Sequence, residues 1–124
     1  MEDFKTLIAA LNQAGAECEN GLDHFMNDEE MYVKYLRQFP DEPSMGKTRA
    51  AFAVKDYAAA EKAVHALKGI AANLALIPVM DAAMEVLFDL RDGETDAAEE
   101  DLPELEEAYT QTVNVIKTWE ASNG

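Results

Sequence analysis

The stretch that decides the fold is DYAAAEKAVHALKGIAANLAL, residues 56–76. Apolar residues recur along it at helical spacing. Asp56 stands where an N-cap belongs, so a helix is expected from there to about Leu76. Advancing about 100° per residue from His65 puts Leu74, Ala63, Ile70, Leu67 and Ala60 within about 40° of the opposite pole. Val64 and Ala71 flank that apolar arc. The helix therefore has a core face, and His65 stands at the centre of its wet face. Ala58, Gly69 and Ala72 lie beside His65 along the axis, and all are small. Glu61, Lys62, Lys68 and Asn73 border them.

A glycine inside a helix costs about 1 kcal/mol relative to alanine. Gly69 sits one turn after His65 on the same face, so something should offset that cost. One candidate is clearance for another molecule approaching His65; the other is close approach of a neighbouring helix. Gly69 points away from the apolar arc, which favours clearance. A neutral imidazole in the open is a nucleophile. A phosphoryl group on its nitrogen would carry roughly two negative charges. Lys68, on the adjacent ridge, could pair with a phosphate oxygen.

Outward from this segment, apolar residues recur at helical spacing throughout. Phe4, Leu7, Ile8 and Leu11 form one stripe, and Met31, Tyr35, Leu36 and Phe39 a second. Asn27 with Glu30 three residues on is the expected cap pair for the second helix. Pro40 and Pro43 break the chain, and a weaker helix with Met45 and Phe52 is expected from Pro43. Pro78 falls in the first turn of the next, which turns Met80, Ala83, Leu87 and Leu90 inward and stops at Gly93. A last helix is expected after Asp101 and Pro103, with the stripe Leu105, Ala108, Tyr109, Thr112, Ile116 and Trp119. No strand alternation of useful length occurs. Short connections between long amphipathic helices imply antiparallel neighbours. The expected class is all-α: an up-and-down antiparallel four-helix bundle with an additional N-terminal helix. Residues 1–124 read as one domain, of which 1–19 are an accessory N-terminal helix.

The 124 residues carry 25 acids against ten bases, a formal charge of −15. That balance argues against nucleic acid and anionic lipid as partners, because both need a basic surface. The bases are unevenly placed: Lys47, Arg49, Lys55, Lys62 and Lys68 cluster around His65, with only Asp56 and Glu61 opposing them. From Asp81 to Glu107 there are twelve acids and one base, Arg91. No apolar run of about 18 residues is present, so no membrane span is expected. MEDFKTL at the start has no basic n-region and is not expected to be a signal peptide. A single cysteine, Cys18, fits a reducing cytosol and reads as a small buried residue. The six methionines read as core filler.

Competing motifs fail on spacing. Gly46-Lys47-Thr48 imitates the end of a phosphate-binding loop, but Asp41 stands where the first glycine is required. Di-iron bundles need Glu three residues before His, and Lys62 and Gly21 hold those places. Two histidines and one cysteine without close spacing do not make a zinc site. Ser44 and Ser122 are the only serines, and neither lies in a nucleophile elbow. His24, near a helix start, reads as an ordinary surface or capping-region residue.

The run AVHALKGIAANL, residues 63–74, resembles the signature of histidine-containing phosphotransfer (HPt) domains, H-x-L-K-G followed by N-L-G. Upstream, Gly21-Leu22-Asp23, Asp28 to Tyr32, Leu36 and Phe39 resemble that family's first bundle helix, and Asp56-Tyr57 the turn before its histidine helix. The resemblance covers about residues 20–120. It implies that His65 is the phosphoacceptor, taking a phosphoryl group from an aspartyl phosphate on a receiver domain and passing it to another response regulator. Lys68 would orient or neutralise the phosphate, and Gly69 would leave room for the receiver. Ala72, Ala58, Glu61, Lys62 and Asn73 are the expected binding surround. Such a protein carries phosphate without independent turnover, holds no metal or cofactor, and relies on Mg2+ in the partner receiver. A sensor kinase is a further expected partner, a monomer the expected state, and the cytoplasm the expected location. A helical adaptor that binds a receiver or kinase independently of phosphorylation is the alternative. One departure stands out: Ala75 occupies the place of the family's usual glycine.

Overall fold

Asp56 caps the histidine helix as expected: its Oδ1 accepts the Ala59 N–H at 3.1 Å. The computed structural model describes residues 4–123. Among them there are seven α-helices, one 3-10 turn and no strand. The helices are α1 (Phe4–Gln13), α2 (Cys18–His24), α3 (Glu29–Gln38), α4 (Ser44–Ala53), α5 (Tyr57–Asn73), α6 (Ile77–Arg91) and α7 (Thr95–Asn123), with the 3-10 turn at Phe39–Asp41. No helix among the described residues is long and apolar enough to cross a membrane.

α4 packs on α5, α5 on α6 and α6 on α7, while α1 lies against α7. Ala60, Ala63, Val64, Leu67 and Ala71 make the buried face of α5. They meet Val79, Ala83, Val86, Leu87 and Leu90 of α6, with Leu105 and Ile116 of α7 in the same core. The alanines keep α5 thin on its inner side, so neighbouring helices approach closely without displacing the outer face. Trp119 anchors α1, donating from Nε1 to Thr6 Oγ1 at 3.0 Å.

α5 stops at Asn73, earlier than Leu76, and the reason is the conformation of Ala75. Its φ is +56°, the left-handed geometry that closes a helix C-terminus. The Leu76 N–H bonds back to Ala71 O at 2.9 Å across it. Three carbonyls at this end find partners on the N-terminal segments. The Tyr32 hydroxyl donates to Leu74 O at 2.7 Å, His24 Nδ1 lies 2.9 Å from Asn73 O, and the Glu17 N–H donates to Ala75 O at 2.9 Å. Gly21 permits this docking, since a Cβ there would stand 2.5 Å from Tyr32 Oη. Helices α2 and α3 therefore serve as a cap on α5.

Several expectations are corrected. The segment that resembles one first bundle helix is two, α2 and α3, split where Met26 and Asn27 both take positive φ. Asn27 is used up in that turn, and Asp28 caps α3 in its place, accepting the Met31 N–H at 3.1 Å. The α3 core register is Tyr32, Val33, Leu36 and Phe39; Met31 and Tyr35 face solvent. Met80 and Ala108 are half-buried, and Val79 and Val86 do the packing first assigned to Met80. Met26, 91% exposed, is not core filler. Cys18 is buried, as expected, at the first position of α2. α7 begins at Thr95 and runs through Pro103. Buried Ala98 and the bonds of Glu99 to Lys55 and Tyr57 hold its first turns against the cost of an internal proline.

Candidate functional site

His65 is exposed, at the middle of the outward face of α5. Gly69, about 6 Å further along the axis, is also exposed, and a Cβ built there would meet nothing within 4 Å. That removes close helix approach as the reason for the glycine and leaves an open shelf beside the imidazole. Ala72 is half-buried and Ala58 exposed, so the shelf has no tall side chain of its own along this line. Lys68 is half-buried and forms no ion pair among the described residues.

The other expected surround residues divide into three directions. Glu61 turns toward α6, where its Oε2 lies 3.8 Å from Arg91 Nε. Lys62 turns toward α4 and lines, with Lys47, Ala63 and Ala66, a groove of about 520 Å3. Asn73 lies at the far end of the helix, about 12 Å from His65 along the axis, with its carbonyl facing His24. His24 is exposed, as expected of a surface residue, but it is the last residue of α2 and does not lie near a helix start; its ring faces the C-terminus of α5.

The basic island does not form one patch. Arg49 pairs with Glu106 and stacks 5.5 Å from the Tyr109 ring centroid. Lys55 reaches Glu99 at 2.7 Å, and the Tyr57 hydroxyl donates to the same oxygen at 2.8 Å. These bonds hold the Glu99 carboxyl below its ordinary range, Lys55 first and Tyr57 second. Two of the five bases are thus spent tying α7 to the α4–α5 corner, and Lys47, Lys62 and Lys68 remain around the histidine helix. A sixth base joins them. Arg91, at the end of α6, places Nη2 2.8 Å from His65 Nδ1.

A family model described as Hpt domain matches residues 2–115. The chain belongs to the Hpt domain family. No match came from the curated proteins or from the solved structures. As an Hpt domain it falls in a family of histidine phosphotransfer modules of phosphorelays, which carry phosphate and work with response regulators and kinases. Within this Hpt domain, Arg91 is the site neighbour that sequence reasoning missed. Its signal was its isolation among twelve acids between Asp81 and Glu107. Only the register of α6 against α5 shows that this lone base lands on the histidine.

Acids of α6 and α7 also come together. One carboxylate oxygen each from Glu85, Asp101 and Glu104 lies within 4.8 Å of the others. Asp89 beside them has a buried Oδ2 without a hydrogen-bond partner. Its carboxyl is pushed up to about 6, first by a hydrogen bond shared with Asp101, then by burial and by the charges of Asp101, Glu85 and Asp92.

Proposed function

We propose that this Hpt domain is a phosphorelay intermediate in which His65 takes a phosphoryl group from an aspartyl phosphate on a receiver domain and hands it to a second response regulator. The observation that carries this reading is the open shelf at Gly69 beside an outward imidazole. A glycine with free space where its side chain would stand has no use inside this chain, and it leaves room for a docked partner over the ring.

The chemistry follows from the residues. An imidazole nitrogen of His65 attacks phosphorus as the bond from phosphorus to the receiver's carboxylate oxygen breaks, and the bonding pair leaves on that oxygen. The receiver's carboxylates hold the Mg2+ that this transfer uses. Lys68, without an acid of its own, lies one turn from the ring and offsets the charge of the bound phosphoryl group. Glu61, Lys62, Ala58, Ala72 and Asn73 form the surround that the receiver meets, with Lys62 and Lys47 suited to acidic receiver faces. A sensor kinase is a second partner of this surface, and the cytoplasm is the compartment in which it acts.

The test mixes the protein with a phosphorylated receiver and Mg2+. Wild type gains acid-labile phosphate and His65→Gln does not. Equal labelling of the mutant would overturn the assignment. Receiver binding and signalling that continue unchanged in His65→Gln would point to the phosphorylation-independent adaptor.

A further inference from the structure

The contact between Arg91 and His65 fixes more than position. A guanidinium carries donors only. With Arg91 Nη2 2.8 Å away, His65 Nδ1 accepts and carries no proton, and the neutral ring holds its one proton on Nε2. One lone pair is therefore tied up, and the other nitrogen is an N–H. His24 has the opposite arrangement. Its Nδ1 faces the carbonyl oxygen of Asn73, which only accepts, so Nδ1 carries the proton and the Nε2 lone pair stays open. Both rings are exposed. The relay histidine is the one without a free lone pair.

Arg91 is also free to move. It is the last residue of α6, and its side chain and that of Glu61 are each 43% exposed. Their 3.8 Å ion pair is solvent-exposed and therefore weak. A phosphoryl group offers a guanidinium stronger, charge-assisted bonds than a neutral imidazole does.

We propose that Arg91 is a latch on the His65 nucleophile: it masks the ring at rest, and an incoming phosphoryl anion draws it off Nδ1 and is then held by it. This rests on the reading of His65 as phosphoacceptor. When Arg91 turns to a phosphoryl oxygen, Nε2 gives its proton to water and Nδ1 takes one from water, so the ring remains neutral. The uncovered Nε2 lone pair then forms the N–P bond as the P–O bond to the receiver's aspartyl group breaks, with the bonding pair leaving on the carboxylate. Arg91 is a positioning residue until that moment. The device keeps the nucleophile closed to neutral electrophiles and opens it to anionic phosphoryl donors.

Two small reagents separate the halves of this proposal on the full chain. Diethyl pyrocarbonate is neutral and needs an imidazole lone pair; phosphoramidate is an anionic phosphoryl donor. Modification is read at His65 and His24 separately by peptide mass spectrometry, with Arg91→Ala and Arg91→Gln compared to wild type. Wild-type His65 should be acylated several-fold more slowly than His24. Either substitution should raise His65 toward the His24 rate and leave His24 unchanged, which also reports an intact fold. Phosphoramidate should show the reverse order, with wild type labelled faster than both variants. Equal acylation of His65 in wild type and variants overturns the mask. Faster phosphoramidate labelling in the variants overturns the holding role. If acylation follows the mask but no phosphoryl donor labels His65 in any protein, the phosphoacceptor reading falls and the mask stands.

Discussion

Replacing Gly69 by alanine sets helix propensity against clearance at a single atom. The added Cβ would meet nothing within 4 Å, so no internal clash opposes the change. The gain is then the helix propensity difference, about 1 kcal/mol in favour of alanine. For a domain of this size that corresponds to a rise in Tm of about 3–5 °C. The same methyl stands on the shelf one turn from His65, where the receiver is to approach. Thermal melting followed by circular dichroism and single-turnover transfer from a phosphorylated receiver give the two readings. Gly69→Ala should melt higher and accept phosphate more slowly, and Gly69→Gln should be slower still. Labelling by phosphoramidate, which needs no docking, should be unchanged in both. Undiminished transfer from the receiver to Gly69→Gln would refute the clearance argument. A lower Tm for Gly69→Ala would show that the glycine is held by something inside the chain.

Three further outcomes follow from the packing and the charges. Ala75→Gly should change stability by less than about 1 kcal/mol: relief of left-handed strain, about 1–2 kcal/mol, is offset by chain entropy of about 0.5–1 kcal/mol and by loss of a buried methyl of about 0.8 kcal/mol. Ala75→Val, β-branched at φ +56°, should be clearly destabilised in the same urea titration, and an unaffected valine variant would contradict the strain. Tyr32→Phe removes the donor to Leu74 O and should cost about 1–3 kcal/mol while transfer at His65 continues. Asp89 takes up a proton on folding, because its carboxyl is raised from 3.8 to about 6. Its stabilising contribution is complete below pH 3.8 and fades as pH rises through about 6, opposite in sign to Glu99, whose lowered carboxyl adds stability above its ordinary range and loses it in acid. Asp89→Asn should therefore raise Tm at pH 8 and leave it nearly unchanged at pH 4; parallel pH profiles for the two proteins would contradict the shift.

The histidine helix was legible in the sequence because its signals are local. Asp56 caps within three residues, and the alanine and leucine face repeats at helical spacing. What was not legible depends on register between segments. In α3, residues 31 and 35 and residues 32 and 36 are equally apolar pairs, and only the reach of Tyr32 to Leu74 O selects the inner one. The break at Met26 and Asn27 needed left-handed backbone at two residues that sequence does not demand. Pro103 read as a helix start because its local cost is large, whereas Glu99 and Ala98 act through α4 and α5. The same limit applies to the site. His65, Lys68 and Gly69 lie on one turn and could be read together, while Arg91 comes from a neighbouring helix 26 residues away. The bases near His65 in sequence were overcounted for the same reason, since Arg49 and Lys55 turn to α7.

The most direct measurement is localisation of the phosphoryl group after reaction with a phosphorylated receiver. Peptide mass spectrometry under alkaline conditions, which preserve phosphohistidine, distinguishes the two histidines of the chain. Label is expected at His65 alone, chased off by a second, unphosphorylated receiver. Label at His24, or label at His65 that no receiver can remove, would contradict this expectation.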